Sequence, residues 1–431
     1  MLKKREESLI MKQKLLFMGI DTSTRDAVAY ARSIGVETII TDARPFGSSP
    51  VKQMADHVWQ IDVKNLDELQ ARCKKEQITG IYAGNHEFCL DMTRELTRRL
   101  ELPFYASEEG WACARDKARF KEHCMAVGLD VPQRYFVKKP YTQEMFAKIS
   151  YPVIVKPVDA CAQRGLTLCG SEEELITAYE KALQYSQKKE VIVEEFIEGE
   201  EVSMEYFFLD GHPVFCRIND LLPVSVNNRP IFCFIWQQSR HKEKYLRDTA
   251  DKTDALFQRM QCYLGAAFLQ AIYRDGKYYF LEFGYRIDGI GSWTTEKRID
   301  GYSKVERMVD LALGRPFSPK QIILPEKNGV GALYLPLVKA GKIDAISGLE
   351  TVRCMEGVDV SLERFHIGDE IKESKDMYQL AYYLGIWAEK EATLLDRLKE
   401  IQSLLKICDH DGNNLLIPFD GATVREILRD I

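Results

Sequence analysis

Three segments of the sequence place polar side chains inside apolar runs, where such groups need a partner or a ligand. The first is YPVIVKPV, in which Lys156 lies on a strand otherwise suited to burial. A buried, unpaired ammonium is costly, so Lys156 must reach water or an anion. The following loop, DACAQRGLTLC, contains Gly165, and a loop beside a strand lysine suits polyphosphate binding. A solvated edge-strand lysine is the alternative.

The second segment is VIVEEFIEGEE, in which three apolar residues lead into Glu194, Glu195, Phe196 and Ile197, with Glu201 soon after. Free backbone N–H and C=O groups between two sheets can bind a purine edge, and a carboxylate can accept from ribose hydroxyls. The alternative is a solvated acidic turn that joins two strands.

The third segment is KYYFLEFGYR, where Glu282 lies in an apolar strand four residues before Arg286. A buried carboxylate needs a cation, which Mg²⁺ with nucleotide phosphates would supply, and an arginine can neutralise charge on a transferred phosphoryl group. Gln270 precedes the Asp275-Gly276 turn, so a hairpin would bring it near Glu282. A plain Glu-to-Arg pair on one strand face is the alternative.

Composition narrows the class of protein. The chain has 431 residues with 65 acidic and 59 basic side chains, so a soluble multidomain enzyme is expected and nucleic acid is not expected as a partner. No apolar stretch reaches the roughly 18 to 20 residues of a membrane helix, and the first residues lack the apolar run of a signal peptide, so we expect no membrane association and a cytoplasmic location. The 11 cysteines and 7 histidines contain neither C-x-x-C nor H-E-x-x-H, which favours reduced thiols over disulfides or zinc.

The elements that must position these residues begin with a βαβαβ pattern over residues 14 to 105. Parallel strands of this kind form a doubly wound sheet with its functional edge at the carboxyl ends, here residues 19–25, 42–45 and 84–87. The segment GIDTSTRD lacks the G-x-G-x-x-G spacing, which disfavours a dehydrogenase.

The rest of the chain indicates antiparallel sheets with a few helices. A helix after Asp116 is followed by short strands, a helix opened by the capping box at 171–174, and strands over 201–283 around two Asp-Gly turns, with a helix near 249–263. Beyond residue 301 we predict a helix, the strand GALYLPLV, a helix-rich piece over 377–407 and a terminal helix.

In their order these motifs resemble the ATP-grasp superfamily, most closely the carboxylate-amine ligases and the halves of the carbamoyl-phosphate synthase large chain. The informative set is DK at a helix start, PVIVKP with its loop, VEEFIEGEE, and a D-G hairpin ending in LEFGYR. The resemblance covers residues 14 to 315. It implies an α/β and α+β fold, with a doubly wound parallel pre-ATP-grasp domain at 14–110, an ATP-grasp lid subdomain at 111–200, a large subdomain at 201–315, and a C-terminal accessory region at 316–431.

The resemblance also implies roles for individual residues, with ATP and Mg²⁺ as cofactors. Residues 159–165, including Gly165, would form the phosphate lid. The implied contacts are ATP phosphates for Lys117 and Lys156, adenine for the backbone of Glu194, Glu195, Phe196 and Ile197, ribose for Glu201, Mg²⁺ for Gln270 and Glu282, and the transferred phosphoryl group for Arg286.

Three positions depart from the family pattern. Gly284 stands where the family usually has a third metal ligand, an asparagine, and Gln270 is neutral where many members have a carboxylate. Weaker Mg²⁺ binding is therefore expected unless another oxygen, such as that of Asp288 or a water, takes part. The lid contains Cys161 and Ala162 where small flexible residues are common.

The function implied is an ADP-forming ligase that joins a small carboxylate to an amine through an acylphosphate. Two alternatives stay open: an enzyme that makes carbamoyl phosphate or a similar mixed anhydride, and a nucleotide-binding regulatory or assembly protein with an impaired metal site. The C-terminal region is expected to form either a wall of the active site or a homodimer contact. Candidate carboxylate-binding groups lie in 84–87 and in a long insertion over 219–247, namely Arg229, Arg240, His241, Lys242 and Lys244, for which a solvated loop is the alternative.

Overall fold

Alternating apolar runs and helices at the N-terminus form a four-stranded parallel sheet. The computed structural model describes residues 13–159, 165–226, 229–315, 329–372 and 379–419. The sheet has the order β3-β2-β1-β4. Its strands read as apolar runs because helices cover the sheet. The elements are β1 (Lys14–Met18), α1 (Thr24–Ser33), β2 (Glu37–Thr41), α2 (Val51–Met54), β3 (His57–Trp59), α3 (Leu66–Glu76), β4 (Gly80–Tyr82) and α4 (Glu87–Leu100).

The topology brings the predicted edge residues together. The chain moves outward from β1 to β3 and then returns to place β4 on the other side of β1, so the loops after β1 and β4 are neighbours. Strand β3 was not predicted, because its three residues HVW are too short for a periodic signal. The predicted doubly wound parallel sheet is confirmed.

A small antiparallel sheet follows, with the order β5-β8-β6-β7. One face carries Val153, Val155 and Val193, which pack under helix α8, while the alternate residues face away from that core. Two further helices, α5 and α6, lead into this sheet. The elements are α5 (Glu108–Arg115), α6 (Lys117–Ala126), β5 (Arg134–Tyr135), α7 (Gln143–Phe146), β6 (Val153–Pro157), β7 (Thr167–Cys169), α8 (Glu172–Tyr185) and β8 (Val191–Glu195).

The largest sheet has eight strands in the order β13-β12-β9-β10-β11-β14-β19-β17. Strands on both sides of residue 315 share it, so the sheet crosses the boundary predicted there. Its elements are β9 (Glu200–Leu209), β10 (His212–Val226), β11 (Arg229–Trp236), α9 (Lys242–Arg259), β12 (Gly265–Arg274), β13 (Lys277–Gly284), α10 (Trp293–Ile299), α11 (Lys304–Ala312), β14 (Val330–Tyr334), β15 (Gly341–Lys342), β16 (Ala345–Ser347), α12 (Leu349–Arg353), β17 (Val358–Glu363), β18 (Glu370–Ile371), β19 (Tyr382–Ala388), α13 (Glu391–Leu404) and β20 (Lys406–Cys408).

Two predicted segments differ from the structure. Residues 382–388, expected in a helix-rich piece, form β19, because a buried run of seven apolar residues has no periodicity that separates a helix from a strand. The supposed insertion at 219–247 consists of the end of β10, strand β11 and the start of α9. The predicted terminal helix lies outside the described residues.

All ten cysteines in the described ranges are free thiols, and eight of them are buried. Among the helices that the structure describes, none has the length and apolarity needed to cross a bilayer.

Candidate active site

The site is centred on Glu282 of β13 and Gln270 of β12, which are direct cross-strand partners. Counting outward from the Asp275-Gly276 turn would place Gln270 opposite Leu281, on the other face from Glu282. A β-bulge between Gln270 and Ala271 adds one residue to β13 and brings the two oxygen-bearing side chains onto one face. The predicted pairing of Gln270 and Glu282 is therefore present.

Lys117, at the start of α6, reaches Glu282 with its Nζ 3.1 Å from Oε2. Burial opposes the ionisation of Glu282, but the surrounding positive charges, that of Lys117 foremost, together outweigh it and lower the pKa of the carboxyl below its ordinary value. The charges of Lys156 and Arg286 act in the same direction. Glu282 is therefore a carboxylate at neutral pH, surrounded by three predicted phosphate-binding cations.

The Phe268 ring fills the space that a side chain would need at position 284, where the family usually has its third metal ligand. Gly284 pairs with Phe268 across the hairpin, and a Cβ on Gly284 would overlap the Phe268 ring. The guanidinium of Arg286 lies over the same ring, 5.0 Å from its centroid. Gly284 is thus required by the packing of Phe268, which in turn supports Arg286 by a cation–π contact.

Arg286 also binds the N-terminal domain. Its Nη2 lies 3.1 Å from Oε1 of Glu87, and the other Glu87 oxygen lies 2.7 Å from Nη1 of Arg115. Glu87 is the first residue of α4 and the last residue of the predicted edge segment 84–87. One carboxylate therefore joins the predicted phosphoryl-binding arginine to the parallel sheet.

Lys156 lies in a buried ionic cluster on the small sheet. Its Nζ is 2.9 Å from Oε2 of Glu194, and Lys121 of α6 binds Oε1 of the same carboxylate. Glu194 is 2% exposed; burial opposes its ionisation, but Lys156 and Lys121 together lower its pKa to about 2. Glu194 was predicted to contact adenine through its backbone, and its side chain is a carboxylate that binds two lysines. Lys121 was missed, although its i+4 spacing from Lys117 puts both on one helix face.

The hinge after β8 combines bound and available backbone groups. Glu195 N donates to Gln133 O and Phe196 N donates to Pro152 O, at 3.0 and 3.1 Å. Glu195 Oε1 accepts from Gln133 N at 3.0 Å. Ile197 is buried, and no hydrogen bond from its N–H to another described residue is present. Of the four predicted hinge residues, Ile197 is therefore the best placed backbone donor for a purine edge.

Glu201 lies on the same face of β9 as Ser203, which pairs with Gln270. Burial, together with the neighbouring negative charge of Glu282, raises the pKa of Glu201 to about 7. Two carboxylates on one face therefore repel each other when both are ionised, and a cation or hydroxyl donors between them would relieve that repulsion.

Replacing Glu201 with glutamine is expected to stabilise the nucleotide-free protein more at pH 8 than at pH 5. The pKa of Glu201 is raised above its ordinary value of 4.5, so its favourable protonated form is lost as the pH rises through about 7, whereas glutamine stays neutral. Thermal unfolding of both proteins across this range measures the difference. Glu198→Gln, an exposed change in the turn before β9, is the control and should give no pH-dependent gain in stability.

The first residue of the predicted phosphate lid is anchored to the region after α8. Asp159 accepts from Ser186 Oγ at 2.7 Å and from Lys188 N at 2.9 Å. Gly165 has a φ of +76°, and a Cβ there would lie 2.8 Å from Pro157 Cγ, so glycine suits both the backbone and the packing. Residues 160–164, including Cys161 and Ala162, lie outside the described residues.

The carboxyl edge of the parallel sheet is held by Asp21. One of its oxygens accepts from Ser23 and Thr24, and the other accepts from the N–H groups of Gly84 and Asn85 at 3.1 and 2.8 Å. The first and third predicted edge segments therefore converge as expected, and they present Glu87 toward Arg286.

The basic residues expected near a carboxylate substrate lie elsewhere. Arg240 and His241 bind the two oxygens of Glu200 at 2.7 and 2.9 Å, and Lys244 pairs with Asp248 at 2.6 Å along α9. Arg229 lies on β11 and Lys242 begins α9. The structure does not bring this set together as one carboxylate-binding loop.

Asp288, the suggested additional metal ligand, is hydrogen-bonded within its own turn. It is 5% exposed, and its Oδ1 accepts from the N–H groups of Ile290 and Gly291 at 2.9 and 3.1 Å, while its Oδ2 accepts from Ser292 Oγ. These contacts order the turn before α10. The carboxylate is therefore already engaged in local structure.

A second buried ionic cluster supports the sheet behind Phe268. Glu205, which pairs with Phe268 on β12, binds Lys304 of α11 and accepts from Asn219 Nδ2 at 2.7 Å. Lys304 also lies 2.7 Å from Glu296 of α10. Lys304 thus binds a carboxylate on the sheet and another on α10, which links α10 and α11 to the sheet. Nothing in the local sequence pattern marks these residues as partners.

Part of the chain matches a known family of proteins. Residues 128–212 match the family model described as D-ala D-ala ligase C-terminus. The carbamoyl phosphate synthase large chain of Methanocorpusculum labreanum is 24% identical over 220 residues, which is 48% of this chain and 20% of that protein. The chain thus spans about a fifth of the length of this relative.

Two solved structures resemble the whole described fold. The L-amino acid ligase of Bacillus licheniformis has a TM-score of 0.77 at 18% identity, covering 93% of this chain and 99% of that one. The biotin carboxylase domain of the Hydrogenobacter thermophilus 2-oxoglutarate carboxylase, solved with MgADP and bicarbonate, has a TM-score of 0.75 at 18% identity, covering 92% and 91%. The chain therefore has the ATP-grasp fold, and the predicted fold class is confirmed.

Proposed function

We propose that this protein is an ADP-forming, ATP-dependent ligase that joins a small carboxylic acid to an amine through an acylphosphate. One observation carries the proposal: Gln270 and Glu282 lie directly opposite each other, with Lys117 on Glu282 and the charges of Lys156 and Arg286 close by. Oxygen ligands beside cations are what Mg-nucleotide binding and phosphoryl transfer need. The similarity in fold to an L-amino acid ligase supports the same reaction class.

The proposal gives each predicted residue a role. Lys117 and Lys156 bind nucleotide phosphates, the backbone after Glu194 binds the base, and Glu201 accepts from the ribose. Gln270 and Glu282 hold Mg²⁺, and Arg286 stabilises the negative charge of the transferred group. The lid around Gly165 covers the phosphates.

The residues present fit Mg²⁺ as a partner of the nucleotide. This ion is commonly bound through one or two carboxylates together with substrate phosphates and waters, so one carboxylate and one amide oxygen suffice when phosphates complete the shell. When bound, Mg-ATP supplies the phosphoryl group that activates the carboxylate. The protein orients the reactants and neutralises charge, and Lys117 must then exchange its contact with Glu282 for a phosphate oxygen.

The test is release of ADP and phosphate from Mg-ATP, screened over a panel of amino acids and other small carboxylates with amines, singly and in pairs. Release that requires two substrates is the expected result, because the acylphosphate persists until an amine attacks it. Release that a carboxylate without an amino group sustains alone at the full rate would contradict ligation and favour the enzyme that makes a mixed anhydride.

A second candidate is a regulatory or assembly protein that binds nucleotide without turnover. The specific observation is the Phe268 ring, which fills the space that a side chain at position 284 would need. Tight Mg-ADP binding with no release for any substrate pair would favour this candidate.

The proposal also covers the location of the protein and the kind of molecules it acts on. A cytoplasmic location suits an ATP-consuming enzyme with reduced cysteines, and the substrates are small molecules rather than nucleic acid or membrane. The boundaries at residues 110, 200 and 315 and a homodimer remain predictions.

A further inference from the structure

The cluster of Lys121, Glu194 and Lys156 has more positive charge than its internal pairing needs. One carboxylate neutralises one ammonium, and two lysines bind Glu194. The cluster therefore has a formal charge of +1. The side chains of Lys121, Glu194 and Lys156 are only 5%, 2% and 11% exposed, so water screens this surplus poorly.

The surplus charge faces the proposed nucleotide site. On the small sheet Glu194 pairs with Ile154, and Lys156 pairs with Ile192, so Glu194 and Lys156 are diagonal neighbours on one face. That face is opposite the one that packs Val153, Val155 and Val193 under α8. Lys156 is the more exposed of the two lysines, and its charge reaches Glu282 across the site.

Lys121 arrives from a different element. It lies one turn after Lys117 on α6, and the two lysines bind carboxylates of different sheets, Glu282 and Glu194. Burial and the nearby charge of Lys156 lower the pKa of Lys121 to about 7, so the two ammonium groups repel each other. An anion beside Lys156 would relieve that repulsion.

We infer that Lys121 is a positioning residue that holds Glu194 and so leaves Lys156 available to a nucleotide phosphate. Without Lys121, Glu194 and Lys156 would form a neutral pair, and a phosphate would have to compete with a buried carboxylate for its lysine. With Lys121 present, Glu194 keeps a partner while Lys156 turns to the phosphate. The inference rests on the proposed function, because it assumes that Lys156 binds the nucleotide.

The test compares variants by the formal charge of the cluster, using calorimetric titration with Mg-ADP. At pH 6, below the pKa of Lys121, both lysines are protonated and the wild type has +1, whereas Lys121→Met has 0 and the double variant Lys121→Met with Glu194→Gln returns to +1. We expect Lys121→Met to weaken ADP binding by about 10-fold, the double variant to recover most of that loss, and Lys121→Arg to resemble the wild type. Lys181→Met, an exposed change on α8, is the control.

Two results would overturn the inference. One is unchanged ADP affinity in Lys121→Met, and the other is a double variant that binds no better than Lys121→Met alone. Thermal unfolding identifies folded variants. If Lys121→Met is unfolded, a double variant with weak ADP binding still refutes the charge argument. Lys156→Ala separates the two proposals. If this variant binds ADP with full affinity, the proposed nucleotide site is refuted. If it binds ADP more weakly while Lys121→Met binds normally, only the role of Lys121 is refuted.

Discussion

Glu282→Gln is expected to lower Mg-dependent ADP release by about 100-fold while leaving Mg-free ADP affinity nearly unchanged. Glutamine keeps the size of the side chain and an acceptor for Lys117, which lies 3.1 Å away, but removes the only negative charge in the Gln270 and Glu282 pair. On the proposed assignment the metal would then be held by two neutral oxygens, whereas the proposed base and ribose contacts would be retained. Steady-state release and calorimetry without metal separate the two effects.

Asp275→Asn is the matched control for this change. It makes the same carboxylate-to-amide substitution in the turn of the same hairpin, where the side chain is 83% exposed, and asparagine tolerates the positive φ of 49°. Its turnover should equal that of the wild type. Equal losses of turnover and of Mg-free affinity in Glu282→Gln would show that Glu282 acts on the nucleotide site as a whole and not through the metal.

Lys156→Ala is expected to weaken Mg-ADP binding by about 10- to 100-fold, the usual value of a charge-assisted contact to phosphate. The fold should survive, because Lys121 still neutralises Glu194 and leaves no unpaired buried charge. Calorimetry measures the affinity, and thermal unfolding checks the fold.

Lys148→Ala provides the comparison for Lys156→Ala. This lysine is also in the region between residues 111 and 200, is 71% exposed, and pairs with Glu144 one turn away. Such surface pairs contribute little, so ADP affinity should stay at the wild-type value. An unchanged affinity in Lys156→Ala would be incompatible with phosphate binding at the end of β6.

The ordered motifs predicted the fold, and they predicted the candidate residues that the structure brings together, because each motif lies within one local element. Gln270 and Glu282 flank a recognisable Asp-Gly turn, and the segment after Lys156 has the length of a loop. The bulge that puts Gln270 and Glu282 on one face was not predictable, since it depends on how β12 packs between β13 and β9.

Partners from distant segments were the main omission. Glu87 lies 199 residues from Arg286, and Lys121 lies 73 residues from Glu194, so no local pattern joins them. Phe268 looks like any core residue until its register with Gly284 is known. The strand at 382–388 was missed for a related reason, because burial on both faces removes the alternation that identifies a strand.

The shared carboxylate of Glu87 limits how freely this protein can be recombined with its relatives. Arg286 and Arg115 lie on either side of Glu87, and Glu87 itself belongs to the N-terminal unit. A chimaera that exchanges that unit at residue 110 brings a foreign residue to position 87 while retaining both arginines. Such an exchange therefore preserves these ion pairs only when the donor protein has an acidic residue at the position of Glu87, the first residue of α4. The N-terminal unit and Arg286 must then be exchanged as a pair.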